Sequence, residues 1–123
     1  MSGGREAGRL GHWGEALVAD DLKKKGWKIL DTGFRCRMGE IDLIAQNRDY
    51  LVFVEVKLRK NDQFGRAAEF VDYHKQRKLR AAAEFYLLRH PTDRQPRFDV
   101  AEVYAPQGMD TVRPTIHYID NAF

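Results

Sequence analysis

The chain contains two extended segments, GEIDLIAQ (Gly39–Gln46) and LVFVEVKLR (Leu51–Arg59), joined by the short polar connection NRDY (47–50). Both segments are rich in β-branched and aromatic residues with turn-formers between them, a pattern typical of a β-hairpin. Both faces of the second segment begin with apolar side chains, so we expect a central strand covered on both sides. Strict alternation along the first segment places Ile41 and Leu43 on the same face.

Three charged residues lie inside this hairpin, where a buried strand would carry apolar groups: Asp42, Glu55 and Lys57. If the hairpin closes symmetrically, Gln46 pairs with Leu51, and the same register places Asp42 opposite Glu55. Like charges at opposed positions, with Cβ atoms roughly 5 Å apart, destabilise a sheet unless a cation accompanies them. Lys57 supplies one positive charge, whereas a divalent metal matches converging carboxylates better. A register shifted by two residues would leave the acids diagonal to each other.

The bulk composition fits one small domain. The chain has 123 residues, of which 43% are hydrophobic, enough to form one core. It has no run of about 18 apolar residues, so we expect no transmembrane helix, and residues 1–9 lack the apolar segment of a secretory signal. Cys36 is the single cysteine, which excludes an intramolecular disulfide, gives no support to a zinc site and fits a cytoplasmic location.

The periodicity predicts an α/β fold with the element order α-β-β-β-α-β-β, in which a mixed sheet has a helix on each face. Residues 1–9 are expected to form a flexible tail, and residues 10–123 a single domain. The predicted helices cover 10–25 and about 67 or 71 to 88. The predicted strands cover 27–30, 39–46, 51–59, 97–104 and, at an edge, 115–119, with a turn at 31–33.

Glu15 occupies a distinctive position in the first predicted helix. It shares a helical face with Val18 and Leu22, so its carboxylate lies at the edge of an apolar stripe, facing the core or a cleft. Gly11 and Gly14 lower the helix propensity nearby, which indicates that another part of the chain approaches this backbone closely. Alternatively, the helix start is frayed and Glu15 is a favourable first-turn acid.

The second predicted helix carries an apolar stripe from Leu79 to Leu87, and extending this stripe back by one turn reaches Lys75. Lys75 is therefore predicted to point toward the sheet near its edge, although a lysine that only snorkels to solvent is an equal alternative. Residues 57–80 include eight basic and three acidic residues, a net charge of +5. This basic segment indicates a polyanionic partner, and a merely solvated helix face is the alternative.

Together these residues form a set suited to phosphodiester hydrolysis. The carboxylates of Glu15, Asp42 and Glu55 have the chemistry to hold one or two Mg²⁺ ions with water, and the Val56 carbonyl is a further candidate ligand. A metal there would lower the pKa of bound water and stabilise transition-state charge, while Lys57 orients or deprotonates the attacking water or neutralises the phosphate. Oxygen ligands favour Mg²⁺ or Mn²⁺ over zinc. The alternative is a buried ion-pair cluster without metal.

These residues resemble the PD-(D/E)xK nuclease signature, in which an acid on one strand precedes an acid-x-lysine on the next. Asp42 and the triplet Glu55-Val56-Lys57 match it, and Glu15 matches the helix-borne acid of many members. More narrowly, the chain resembles the YraN family of bacterial proteins, which are similar to archaeal Holliday junction resolvases. The resemblance covers nearly the whole chain and rests on these segments: GxxGExxxA (Gly11–Ala19), GEIDLI (Gly39–Ile44), FVEVKxR (Phe53–Arg59), Lys75, RFD (97–99) and NAF (121–123). Ile41 stands where the signature is named for proline.

The resemblance implies a restriction-endonuclease-like fold and a Mg²⁺- or Mn²⁺-dependent nuclease site, and it does not imply a particular substrate. We expect a DNA partner, including branched DNA, and assign phosphate contacts to four basic residues: Arg59, Lys75, Arg77 and Lys78. Resolvase-like action also implies a homodimer, because two strands must be cut symmetrically. The alternative is a non-catalytic or partner-dependent nucleic-acid-binding protein of the same fold.

Overall fold

The computed structural model describes residues 2–60 and 71–123, with side chains from Gly8 onward within these ranges. Within these ranges, two helices and five strands follow in the predicted order, with a 3₁₀ turn (Gly108–Asp110) before the last strand. They are α1 (Ser2–Lys24), β1 (Lys28–Cys36), β2 (Gly39–Gln46), β3 (Tyr50–Arg59), α2 (Tyr73–Arg89), β4 (Gln95–Tyr104) and β5 (Thr115–Ile119). The predicted α/β class and element order are therefore confirmed.

The strands form one mixed sheet in the order β1-β2-β3-β4-β5. Neighbouring strands are antiparallel, except that β3 and β4 are parallel. Helix α2 lies in the connection between these two, since parallel strands need a crossover. β3 is the central strand, and its residues Leu51–Glu55 are all buried, whereas β5 lies at an edge, as predicted.

Each face of the sheet is covered by one helix, which also agrees with the sequence analysis. On one face, Val18 and Leu22 of α1 pack in a cluster with Val54 of β3. On the other, Leu79 and Tyr86 of α2 pack with residues of β2, β3 and β4. Within the described ranges, neither helix combines the length and apolar character required to cross a membrane.

Helix α1 begins earlier than the sequence predicts. It starts at Ser2 and not at residue 10, so the backbone of residues 2–9, expected as a flexible tail, is helical. Interior glycines cost about 1 kcal/mol each but do not by themselves end a helix. The other end is confirmed to within one residue: Gly26 has a φ of +93°, and the Trp27 N–H donates to the Leu22 carbonyl at 2.9 Å, a glycine-dependent C-cap.

β1 is one strand where a short strand and a turn were predicted. Its pairing with β2 shifts between Ile29 and Asp31, and the strand then continues to Cys36. A bulge accommodates an extra residue without ending a strand. Gly33, in the predicted turn, has a φ of +68°, so the turn-forming residues bend the strand instead of reversing it.

Gly14 is where α1 approaches the sheet closely. A Cβ atom built at Gly14 would lie 3.1 Å from Cδ2 of Leu58 on β3, whereas one built at Gly11 would have no neighbour within 4 Å. The predicted close approach is thus confirmed for Gly14 and wrong for Gly11. Because Leu58 follows directly after Lys57, this contact fixes α1 next to the charged end of β3.

We expect Gly14→Val to lower the free energy of unfolding by about 1–3 kcal/mol, because the added methyl groups overpack the contact with Leu58. Gly11→Val is the matched control and should change stability by less than about 1 kcal/mol, since valine is not worse than glycine in a helix. Urea unfolding of both variants measures the difference. Equal effects of the two substitutions would contradict this role of Gly14.

Candidate active site

The candidate site forms where β2 separates from β3. The two strands pair from Gln46↔Leu51 to Leu43↔Val54, which confirms the predicted register for these four pairs. Beyond them, the Val56 N–H donates to Oδ2 of Asp42 at 2.8 Å. A carboxylate thus takes the place of a backbone partner. The predicted pairing of Asp42 with Glu55 is therefore wrong for the backbone, because the β2–β3 ladder ends at Leu43↔Val54.

β2 also rotates at this point. Leu43 packs in the core beneath α1, whereas Ile41 packs with Ile44 in the core beneath α2. Strict alternation, which places Ile41 and Leu43 on one face, is therefore wrong here. The alternation of faces breaks at Asp42, beyond the last pair of the β2–β3 ladder. The Asp42 carboxylate is therefore directed along the sheet toward β3.

The environment of Asp42 raises its pKa to about 7. Burial is the largest cause, and the negative charge of Glu55 is the next. The hydrogen bond from Val56 acts in the opposite direction, while Glu15 and a hydrogen bond with Glu55 raise the pKa further. Three acids therefore interact at the gap between the strands, and Asp42 lies at their centre.

Glu15 reaches this cluster from α1. Its pKa is raised, chiefly by burial, and the charges of Glu40 and Glu55 raise it further, whereas His12 and a hydrogen bond with Asp42 lower it. The predicted position of Glu15 at the edge of the apolar stripe of α1 is confirmed. His12 is exposed on α1, one turn before Glu15, and only its i, i+3 spacing could have signalled this influence.

Glu55 is buried on β3 with 5% of its surface exposed. Its Oε2 atom lies 3.4 Å from the Nζ of Lys57 and 3.3 Å from the Nζ of Lys75. The prediction that Lys75 points toward the sheet is thus confirmed. Asp72 fixes the first turn of α2, because its Oδ1 accepts the Lys75 N–H at 2.8 Å.

Arg59 lies beside a different acid, Glu102, which the sequence analysis did not single out. Glu102 is 1% exposed, with Arg59 Nε 3.5 Å from its Oε2 and the Tyr104 hydroxyl donating to its Oε1 at 3.2 Å. It is also the strand neighbour of Lys57 on β4. The sequence offered one signal for Glu102, namely an acidic residue inside the predicted strand 97–104. The structure therefore connects Arg59 to the site through Glu102 and Lys57.

The other basic residues of α2 face outward. Arg77 and Lys78 are exposed, and the Arg77 guanidinium lies 5.9 Å from the ring of Tyr73. They share the first turns of α2 with Lys75 but form no described ion pair with Glu55. The structure thus divides the predicted phosphate-binding residues into an inward lysine and an outward basic surface.

Two further segments that carry the family resemblance, 97–99 and 121–123, pack against each other at β4. Arg97 donates to both oxygens of Asp99, at 2.9 and 2.8 Å, and the Asn121 N–H donates to Asp99 Oδ1 at 2.9 Å. The rings of Phe98 and Phe123 stack with centroids 5.1 Å apart. These segments tie residues 121–123 to β4 beside the first half of β3, away from the carboxylate cluster.

The donor chemistry of the site suits a hard divalent cation. Its acids offer only oxygen, and the Val56 carbonyl points to the same side of β3 as its N–H, toward Asp42. Among residues 2–60 and 71–123, however, no group of three or more His, Cys, Asp or Glu side chains has the arrangement of a metal site. Two lysine ammonium groups instead provide the counter-charge of Glu55.

The fold and site define a class of protein: a mixed α/β domain with carboxylates and lysines at a gap in its sheet. The chain belongs to UPF0102, an uncharacterised protein family whose model matches residues 14–103. A UPF0102 protein of Caldanaerobacter subterraneus is 44% identical over 115 residues, covering 93% of each chain. One of Caldicellulosiruptor bescii is 42% identical over 117 residues, covering 94% of this chain and 97% of its own.

The raised pKa of Asp42 predicts a pH-dependent stability. A carboxyl group with a higher pKa in the folded protein than in the unfolded chain binds more protons when folded, so stability falls as the pH rises from about 4 to about 7. Between pH 5 and 8 the wild type should lose about 1–3 kcal/mol relative to Asp42→Asn, since asparagine cannot ionise and retains an oxygen for the Val56 N–H.

Denaturant unfolding at several pH values measures this difference. Asp20→Asn is the control, because Asp20 lies on the exposed side of α1 in an ion pair with Lys24. Its stability should follow the pH dependence of the wild type. Parallel curves for the wild type and Asp42→Asn would show that Asp42 titrates in its ordinary range.

Proposed function

We propose that this protein is a Mg²⁺- or Mn²⁺-dependent nuclease of the PD-(D/E)xK type, acting on phosphodiester bonds in DNA, including branched DNA. One observation carries the proposal: a buried aspartate at the end of a strand pair, with a pKa of about 7, interacts with two further acids. Such mutual repulsion costs stability, so a structural role alone does not account for the cluster, whereas a divalent cation relieves the repulsion.

Asp42 and Glu55 would hold the metal, together with the Val56 carbonyl, and Glu15 would bind it directly or through water. When bound, the metal supplies an activated water and stabilises the charge that develops on the phosphate. Asp42 is oriented for this role by the Val56 N–H, which donates to its Oδ2 atom. A bound metal would replace the hydrogen bonds of Asp42 with Glu15 and Glu55. A metal bound to Oε2 of Glu55 would replace at least one of its lysine contacts.

Lys57 would act on the nucleophile or on the phosphate. It lies on the same strand face as Glu55, with its Nζ 3.4 Å from Oε2 and its side chain 27% exposed. An ammonium group at this position would orient the attacking water or neutralise a phosphate oxygen, whereas the neutral amine would accept a proton from that water. Glu102, the strand neighbour of Lys57 on β4, places a further buried carboxylate beside this part of the site.

The nucleic acid would bind across the end of the sheet and the first turns of α2. Lys75, Arg77 and Lys78 provide positive charge there, and Arg59 adds to the local potential while it is paired with Glu102. Contacts to several phosphates make the affinity strongly salt-dependent. We further propose a cytoplasmic homodimer, since symmetric cleavage of a junction needs two sites. Sedimentation of the protein with and without four-way DNA tests the dimer.

A second candidate function is nucleic-acid binding without intrinsic catalysis, or with catalysis only alongside a partner. The observation that favours it is the state of Glu55, whose charge is already balanced by two lysines. In this case the buried charges serve the fold and the basic surface serves binding. Branched DNA that is bound by the metal-loaded protein but never cut distinguishes this function from the first.

We expect Asp42→Ala and Lys57→Ala each to reduce Mg²⁺-dependent DNA cleavage by about 10²-fold or more, while DNA affinity changes little. The reason is that these side chains act on the metal or the reacting groups, and general acid–base groups typically contribute about 10²–10⁴-fold. The assay uses linear, flapped, nicked and four-way DNA with Mg²⁺ and with Mn²⁺.

Asp20→Ala is the control, purified in parallel, because it removes an acid on α1 whose side chain is 64% exposed. Its cleavage rate should equal that of the wild type, which also excludes a contaminating nuclease as the source of variant-dependent activity. If Asp42→Ala and Lys57→Ala cleave as fast as the wild type, the carboxylate cluster has no part in the reaction.

A further inference from the structure

Two positively charged side chains contact the same acid of the cluster. The ammonium groups of Lys57 and Lys75 approach one oxygen atom of Glu55, at 3.4 and 3.3 Å. The Glu55 side chain is only 6% exposed, whereas the two lysines are partly exposed. Either lysine alone can serve as the counter-ion of Glu55, so one of them is available for a second task.

The two lysines differ in how they are held. Lys57 belongs to β3, as Glu55 does, and its side chain is 27% exposed. Lys75 reaches the site from α2, with 45% of its side chain exposed. Its backbone is fixed by the cap from Asp72, but its long, flexible side chain can extend either to Glu55 or to solvent. Lys75 is consequently the lysine that can leave Glu55 without any change in the fold.

We infer that Lys75 is an internal counter-ion of Glu55: it holds this carboxylate in place when no divalent cation is bound, and it turns to a substrate phosphate when a cation replaces it. The inference rests on the proposed function, because it assigns a positioning role within the same site. It concerns the exchange of Lys75 for a cation at Glu55, whereas the proposed function concerns the cleavage step.

Two consequences follow from competition for one oxygen atom. Removing the Lys75 ammonium should strengthen the binding of a divalent cation to the free protein. In the wild type, metal binding adds a released positive charge to the surface formed by Arg77 and Lys78, and so increases the affinity for phosphates. Thermodynamic linkage then requires that nucleic acid increase the metal affinity by the same factor.

The test measures Mn²⁺ binding to the full chain by calorimetry near neutral pH without nucleic acid. Lys75→Met should bind Mn²⁺ about two- to fivefold more tightly than the wild type, a range set by the strength of a partly exposed ion pair. Lys75→Arg retains the charge and should stay near the wild type. Lys78→Met removes the same charge from the same helix on its exposed side, and should leave Mn²⁺ affinity unchanged.

A second measurement uses fluorescent four-way DNA with non-hydrolysable phosphorothioate linkages. Both Lys75→Met and Lys78→Met should bind this DNA more weakly than the wild type. Mn²⁺ should increase the DNA affinity of Lys78→Met more than that of Lys75→Met, because only the former still has an ammonium group to release. Of these variants, only Lys75→Met is thus expected to bind Mn²⁺ more tightly and DNA more weakly than the wild type.

Unchanged or weaker Mn²⁺ binding by a folded Lys75→Met variant overturns the counter-ion role, and the proposed function survives if the wild type still cleaves. Tighter Mn²⁺ binding by Lys75→Met upholds the role even if no variant cleaves DNA, an outcome that removes only the nuclease function. Absence of Mn²⁺ binding in the wild type and in Lys75→Met removes the metal site and this inference with it.

Discussion

The hydrogen bond from the Val56 N–H to the Asp42 carboxylate is the interaction on which the site depends. It replaces a backbone partner at the point where β2 leaves β3, and it brings a charged group to the edge of a buried sheet. Burial and the nearby charge of Glu55 raise the pKa of that group. Glu55 and Glu102, the other strongly buried acids near the site, each have basic partners.

The gap between the strands also gives the two helices access to the same place. Elsewhere the sheet separates two cores, one beneath α1 and one beneath α2. At the gap, Glu15 of α1 interacts with Asp42, while Lys75 of α2 contacts Glu55. A group bound there would be in reach of both faces of the sheet. The separation of the strands is thus what turns three distant sequence segments into one site.

Regular patterns in the sequence predict most of this arrangement. Alternation and turn residues locate β2, β3 and their register, and helical periodicity correctly directs Glu15 and Lys75 inward. The errors fall where a local pattern is overridden by tertiary contacts. Strict alternation fails at Ile41, because β2 rotates where its pairing with β3 ends. The predicted turn of β1 instead continues as a strand after a bulge between Ile29 and Asp31. Glu102 escaped notice because its importance comes from neighbours on β3 that alternation along β4 does not reveal.

The bond between Val56 and Asp42 has a practical consequence. The Val56 amide proton is attached to the same strand as Glu55 and Lys57, and it is donated to a carboxylate, that of Asp42, whose pKa is raised to about 7. Its NMR chemical shift and its exchange with solvent therefore respond to the charge on Asp42. A single backbone resonance provides a spectroscopic probe of the site that requires neither a substrate nor a label on any side chain.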